Sequence, residues 1–292
     1  MALIKTVDEI KSYITVDGSF NYQTVLPYIE LAEDEVKRIL GQEQYDELND
    51  YYNGVNTGIS ELDDLLPYAQ RPVVYFAFLK GIDKFNVNIG TNGIGVISNN
   101  NLAPASEKRV ENLRTNISES AYDGLEYMLT FLEKNIDDYP LWEASDSYAY
   151  QYEYLISSAR KFDELYKINR SRLTFLNWRP TMADVELLKI IPVVSQEFVD
   201  ELKQEIKDDD VSVNNLKVLT HLQKALAYLT AASEQDMKYE TRGTHYLMMV
   251  KTMLDAAPDD YPTYKASSVY DDTITTYQAY ENDEDLNLAV FG

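Results

Sequence analysis

The sequence predicts a mainly α-helical protein built as two tandem duplicated helical bundles, the first with an inserted β-hairpin. Three observations carry this. Asp137, Asp138, Tyr139 and Pro140 return 122 residues later as Asp259, Asp260, Tyr261 and Pro262, each followed by an aromatic (Trp142, Tyr264), an Ala-Ser pair and a tyrosine (Tyr148, Tyr270). Gln42, Glu43, Asp46, Glu47 and Leu48 return as Gln196, Glu197, Asp200, Glu201 and Leu202 at an offset of 154, and Ala77 and Leu79 return as Ala227 and Leu229 at 150. The drop from 150 to 122 places about 28 extra residues in the first copy, between roughly Ile82 and Val110, as an insertion between matched helices.

That interval contains the hairpin. Val87, Ile89 and Thr91 precede, and Ile94, Val96 and Ser98 follow, the pair Asn92-Gly93. Asn-Gly is preferred in a type I′ turn because both central residues take positive φ. The glycines at 90, 93 and 95 lack dinucleotide-loop spacing. The predicted boundaries are 1–146 for the first bundle, with its hairpin at about 86–98, 147–270 for the second, and 271–292 for an acidic extended tail. Halves near 150 residues match ordinary domain size.

Taken in order, Thr6 with Glu9 three residues on reads as a capping box for a short helix over 6–14. Residues 23–40 form an amphipathic helix with Val25, Ile29, Ala32 and Val36 on one face, ended by Gly41. A shorter helix follows over 43–52, then a loop over 53–58, and Ser60 caps another short helix. Residues 67–85 are the most apolar helix of the first half. Pro104 precedes a helix of about 30 residues over 105–135, spanning roughly 45 Å at a rise of 1.5 Å per residue.

The second half opens with one tyrosine-rich helix over 147–166, then the most basic stretch, Lys167, Arg170, Arg172 and Arg179, interleaved with Phe175 and Trp178. Basic residues among aromatics can grip single-stranded nucleic acid. In an acidic chain, Arg170, Arg172, Trp178 and Arg179 read instead as a local patch for an acidic neighbour, such as the next copy of the same protein. Further helices are predicted over 181–191, 195–207, 213–239 and 243–257. The tail ends in Leu286, Leu288, Val290 and Phe291, suited to a short docking strand.

Composition narrows the function. Acidic side chains number 49 against 26 basic, a formal net charge of -23. Free nucleic acid would be repelled, although an acidic wall suits a passage through which DNA slides without sticking. The 24 tyrosines supply large contact areas with a polar tip, which favours a surface covered in use. The absence of cysteine excludes thiolate metal sites and disulfides. Residues 1–11 lack a signal-peptide pattern and no run approaches a membrane span, so a soluble protein made in a cytoplasm is expected.

The sequence carries none of the common catalytic patterns. His221 and His245 have no repeated ligand spacing, the acidic clusters lack the calcium-loop pattern, and neither a Walker loop, a nucleophile elbow nor a zinc-protease helix occurs. The expectation is a protein that is not an enzyme, with no cofactor and no metal.

The hairpin around Gly93-Ile94-Gly95-Val96, the run Ala103-Pro104-Ala105-Ser106-Glu107 before the long helix, the close at Tyr139-Pro140-Leu141-Trp142, and Phe175-Leu176 before Arg179-Pro180 resemble a family found in tailed phages and prophages of gut Bacteroides, including crAss-like phages. That family is similar to head-to-tail connector proteins, helical bundles with an inserted hairpin. The resemblance implies a virion structural protein at the head-tail junction or tail, forming a ring of about twelve copies that binds the portal and neighbouring tail or ring proteins. It implies a channel for DNA ejection with no sequence-specific contact to DNA and no membrane. Intersubunit contact is then expected at Val87, Ile89, Asn92, Gly93, Ile94 and Val96, with Leu286, Leu288, Val290 and Phe291 as a second anchor. The alternative is a monomeric acidic helical adaptor that binds a basic protein.

Overall fold

The computed structural model describes residues 2–85, 87–90, 93–96 and 105–271, and the chain is mainly helical. The first helices are α1 (Val7–Lys11), α2 (Tyr22–Leu40) and α3 (Gln42–Tyr52). Thr6 and Glu9 form the reciprocal capping box expected at α1. Gly41 takes φ 74 between α2 and α3, a conformation that costs glycine nothing.

Helix α4 (Glu61–Phe85) runs through Pro67 and Pro72 without a break, where the sequence predicted a short helix and then a separate one. An interior proline costs roughly 3 kcal/mol locally. Burial of α4 against α2 and α5 (Glu107–Lys134) offsets that cost. Gly124 of α5 lies so close to Pro72 that an added Cβ would sit 3.3 Å from it. Between α4 and α5, β1 (Val87–Gly90) pairs antiparallel with β2 (Gly93–Val96), with Val87 opposite Val96 and Ile89 opposite Ile94.

After α5 a 3-10 turn, Ile136–Asp138, leads into α6 (Pro140–Glu143) and α7 (Asp146–Gln151). Trp142 is fully buried, and its Nε1–H donates to the Ile39 carbonyl at 2.9 Å, tying α6 to the end of α2. These elements enclose one hydrophobic core, running from Leu3 to Tyr148.

A second core runs from Leu155 to Tyr264. It is built by α8 (Ala159–Leu165), α9 (Arg172–Val185), α10 (Ile191–Val194), α11 (Gln196–Lys207), α12 (Val213–Glu234), α13 (Glu240–Ala256) and α14 (Pro262–Lys265). Two expectations are corrected here. Residues 147–166 are not one helix: α7 stops at Gln151 and α8 begins at Ala159. Leu155, between them, is fully buried, its N–H donates to Glu186 Oε1 at 2.8 Å, and its carbonyl accepts from Gln223 at 2.8 Å. Those side chains take up backbone groups that a helix would otherwise use.

Nor does a helix start at Thr181. The Ser171 hydroxyl caps α9 ten residues earlier, and the helix continues through Pro180 into a π turn over Glu186–Ile190. Glu186 is thereby held inside, 2.7 Å from Lys203.

Several local arrangements occur in both cores. Leu3 N–H donates to Glu33 at 2.5 Å and its carbonyl accepts from Gln70 at 2.7 Å, as Leu155 does with Glu186 and Gln223. Ser195, before α11, takes φ 78, beside 74 for Gly41 before α3. Ser145 Oγ donates to the Trp142 carbonyl and Ser267 Oγ to the Tyr264 carbonyl, both at 2.6 Å. No helix among the described residues is long and apolar enough to cross a membrane.

Candidate functional site

The two cores meet where α5 touches α9. Arg172, at the start of α9, is the centre of this joint. It is fully buried, its Nη1 lies 3.3 Å from Glu126 Oε2 on α5, and its Nη2 donates to Gln151 Oε1 on α7 at 2.8 Å. Glu126 also accepts the Arg160 backbone N–H at 3.1 Å, so one carboxylate from the first core holds two residues of the second. Burial pushes the Arg172 guanidinium below its usual range, and the neighbouring Glu126 carboxylate opposes the shift.

Arg179 is buried one face away. Its Nη2 donates to the Tyr150 carbonyl at 3.0 Å and to Glu153 at 2.7 Å, and the guanidinium lies 3.8 Å from the Tyr150 ring centre and 4.7 Å from that of Tyr154. Trp178 is buried edge-on to Phe162. The expected basic patch is therefore corrected. Arg172, Trp178 and Arg179 face inward, where carboxylates, a carbonyl and rings of this same chain contact them. Arg170 alone of the four is exposed, with φ 56.

Two clefts border the joint. The larger, about 730 Å³, is lined by Glu133, Tyr148, Tyr152, Arg160, Lys161 and Lys207, among others. Burial pushes the Glu133 carboxyl up, with Lys161 opposing. The smaller, about 460 Å³, includes Arg38, Tyr122, Tyr150, Arg172 and Leu176. Chemically, the joint is a buried charge network that fixes one core against the other.

Other predicted positions lie elsewhere. Val87, Ile89, Gly93, Ile94 and Val96 belong to β1 and β2. Asn92, Leu286, Leu288, Val290 and Phe291 lie outside the described residues. His221 Nδ1 lies 2.9 Å from the Lys217 carbonyl, and His245 flanks Tyr246. No group of three or more histidines and acids that could hold a metal ion occurs among the described residues.

Sequence reasoning missed Glu126, Gln151 and Arg160. The available signal was Glu126 between Leu125 and Leu129, an acid on the core-facing stripe of α5, with Glu133 seven residues further along the same side.

The architecture places the chain in the mainly helical class, with two hydrophobic cores. Within that class, the chain belongs to a family of unknown function, DUF6712, whose model matches residues 36–152 and 235–274. The matched stretches contain both Asp-Asp-Tyr-Pro turns, and Arg172 and Arg179 lie in the unmatched interval between them. Neither a curated protein nor a solved structure matches the chain.

Proposed function

We propose that this chain is a virion structural subunit that forms a head-to-tail connector ring below the portal and extends the DNA channel toward the tail. The observation that carries the reading is a strongly acidic helical chain that still turns large apolar side chains outward. Leu187 and Leu188 on the π turn are 59% and 69% exposed, and Met237 and Met248, on the adjoining 3-10 turn Met237–Tyr239 and α13, are 65% and 54% exposed. Such surface suits a protein covered by copies of itself. Net charge of -23 suits a channel wall that DNA crosses without binding. Localisation in the virion and a structural rather than enzymatic role belong to the same reading.

The two bundles are read as duplicated copies. The recurring Leu3 and Leu155 clamps, the Gly41 and Ser195 turns, and the Trp142 and Tyr264 plugs support this. The β1–β2 hairpin is read as an insertion in the first copy: residues 86–106 connect α4 to α5, whereas residues 235–239 connect α12 to α13. In the ring, the hairpin and residues 286–291 contact neighbouring subunits.

The test is particle mass and electron microscopy of the purified chain, alone and with the portal protein of the same genome. The expected result is a ring of about twelve 33.6 kDa copies in at least one sample. Ile89→Asp with Ile94→Asp should abolish it while helicity is retained. A monomer in both samples, without portal binding, would favour the second reading, an acidic adaptor for a basic protein. The specific support for that reading is the first bundle, with 25 acidic against 11 basic side chains over residues 1–146.

A further inference from the structure

One surface of the second bundle departs from the acidic character of the chain. No acidic residue occurs from 211 to 233 or from 241 to 254, although the chain has 49 in 292 residues. These stretches cover most of α12 and α13, which pack side by side. On α12, Lys217, His221, Lys224 and Tyr228 recur at intervals of four, three and four, which places them along one stripe.

Helix α13 completes the seam with Arg242 and Tyr246. Tyr228 and Tyr246 stack at 5.9 Å, the Arg242 guanidinium lies 4.5 Å from the Tyr228 ring centre, and Lys224 Nζ lies 5.4 Å from that of Tyr246. Lys217 and Arg242 are exposed, and the two tyrosines are half-buried. None of Lys217, Lys224 or Arg242 pairs with a carboxylate among the described residues. Cations laid on tyrosine rings, with their charge still open to an incoming acid, form a docking face for an acidic protein surface.

We propose that this α12–α13 seam docks onto the acidic first bundle of a second copy of the chain. Charge complementarity selects that occupant: residues 1–146 hold 25 acidic against 11 basic side chains, and residues 147–271 hold 19 against 15. A seam-to-seam contact would oppose cation to cation, so the contact joins unlike faces. Unlike-face contacts are head-to-tail and close into rings or run on as filaments. The inference rests on the ring reading and names which face of one subunit meets which half of the next.

The test uses the full chain. Lys217→Glu, Lys224→Glu and Arg242→Glu together should weaken self-association by about tenfold or more at low salt in sedimentation, and the remaining association should depend less on salt. Lys224→Gln with Arg242→Gln removes charge without adding acid and should weaken it in the same direction, which covers the case in which the triple variant misfolds by circular dichroism. Carbodiimide cross-linking of mixed light and heavy nitrogen-labelled copies should join Lys217 or Lys224 of one copy to carboxylates within residues 1–146 of another. Rings that survive both variants, or intermolecular cross-links that avoid the seam, would overturn the seam and leave the ring reading standing. A wild-type chain that never self-associates, alone or with the portal protein, would overturn both.

Discussion

Trp142 and Tyr264 follow the same Asp-Asp-Tyr-Pro turn and are both fully buried, yet they are anchored differently. Trp142 donates its indole N–H to the Ile39 carbonyl, a backbone group at the far end of α2. Tyr264 turns its hydroxyl to Asp255 at 2.5 Å and to Lys251, both side chains of the adjacent α13. The first plug spans its core and the second completes a local polar cluster. The clamps differ in the same way: Glu33 holds Leu3 beside Tyr45, while Glu186 holds Leu155 with Lys203 as a counter-charge. What the two cores share is where the backbone must be held. Which side chain supplies the hydrogen bond varies.

The two tryptophans allow the cores to be followed separately, because Trp142 lies in the first and Trp178 in the second. With Trp178→Phe or Trp142→Phe as background, urea unfolding by fluorescence reads one core at a time. The largest effect is expected from Arg172→Ala. It strips Glu126 and Gln151 of a buried partner and should cost about 3–5 kcal/mol. Both transitions should shift, since the pair belongs to both cores. A Trp142 transition that stays in place would break the view that this joint couples them.

Next in size is the plug comparison. Trp142→Tyr leaves the Ile39 carbonyl unsatisfied and the site underfilled, at a cost of about 2–3 kcal/mol. Tyr264→Phe should cost about 1 kcal/mol, because Asp255 and Lys251 still pair at 2.9 Å. Equal losses would mean that the two plugs carry the same load.

The turns before α3 and α11 give a smaller contrast. Gly41→Ser should cost about 1–2 kcal/mol, since it puts a side chain at φ 74 and its Cβ 2.8 Å from that of Ser145. Ser195→Gly should change stability by no more than about 0.5 kcal/mol: it relieves φ 78 but loses the cap to Phe198 N–H. Thermal unfolding of the two variants reads the difference.

The clamps differ last, in pH dependence. Burial pushes the Glu33 carboxyl up, against the bonds from Leu3 and Tyr45, and burial pushes Glu186 up, against Lys203. A carboxyl raised in the folded chain takes up protons on folding. Its contribution is therefore greatest below the unfolded value of 4.5 and is lost as pH rises through the folded value. Glu33→Gln should remove that loss and gain stability relative to wild type as pH increases. Glu186→Gln should gain less, because Lys203 then loses its counter-charge. Urea titrations at about pH 5 and about pH 8 measure both slopes.

The sequence by itself determined the helical class, the cap at Thr6, the ends of α2 and α3, and the placing of both Asp-Asp-Tyr-Pro turns before a buried aromatic. Those features follow from spacing and local chemistry within a turn or two, which a linear reading contains. Only the tertiary structure decided that α4 runs through two prolines, that residues 152–158 break the helix around them, and that Arg172, Trp178 and Arg179 turn inward. Each depends on a partner far along the chain: α2 and α5 for α4, Glu186 and Gln223 for Leu155, and Glu126 for Arg172. A basic residue beside aromatics reads the same in sequence whether water or a distant carboxylate receives its charge, and only folding brings that carboxylate within hydrogen-bond reach.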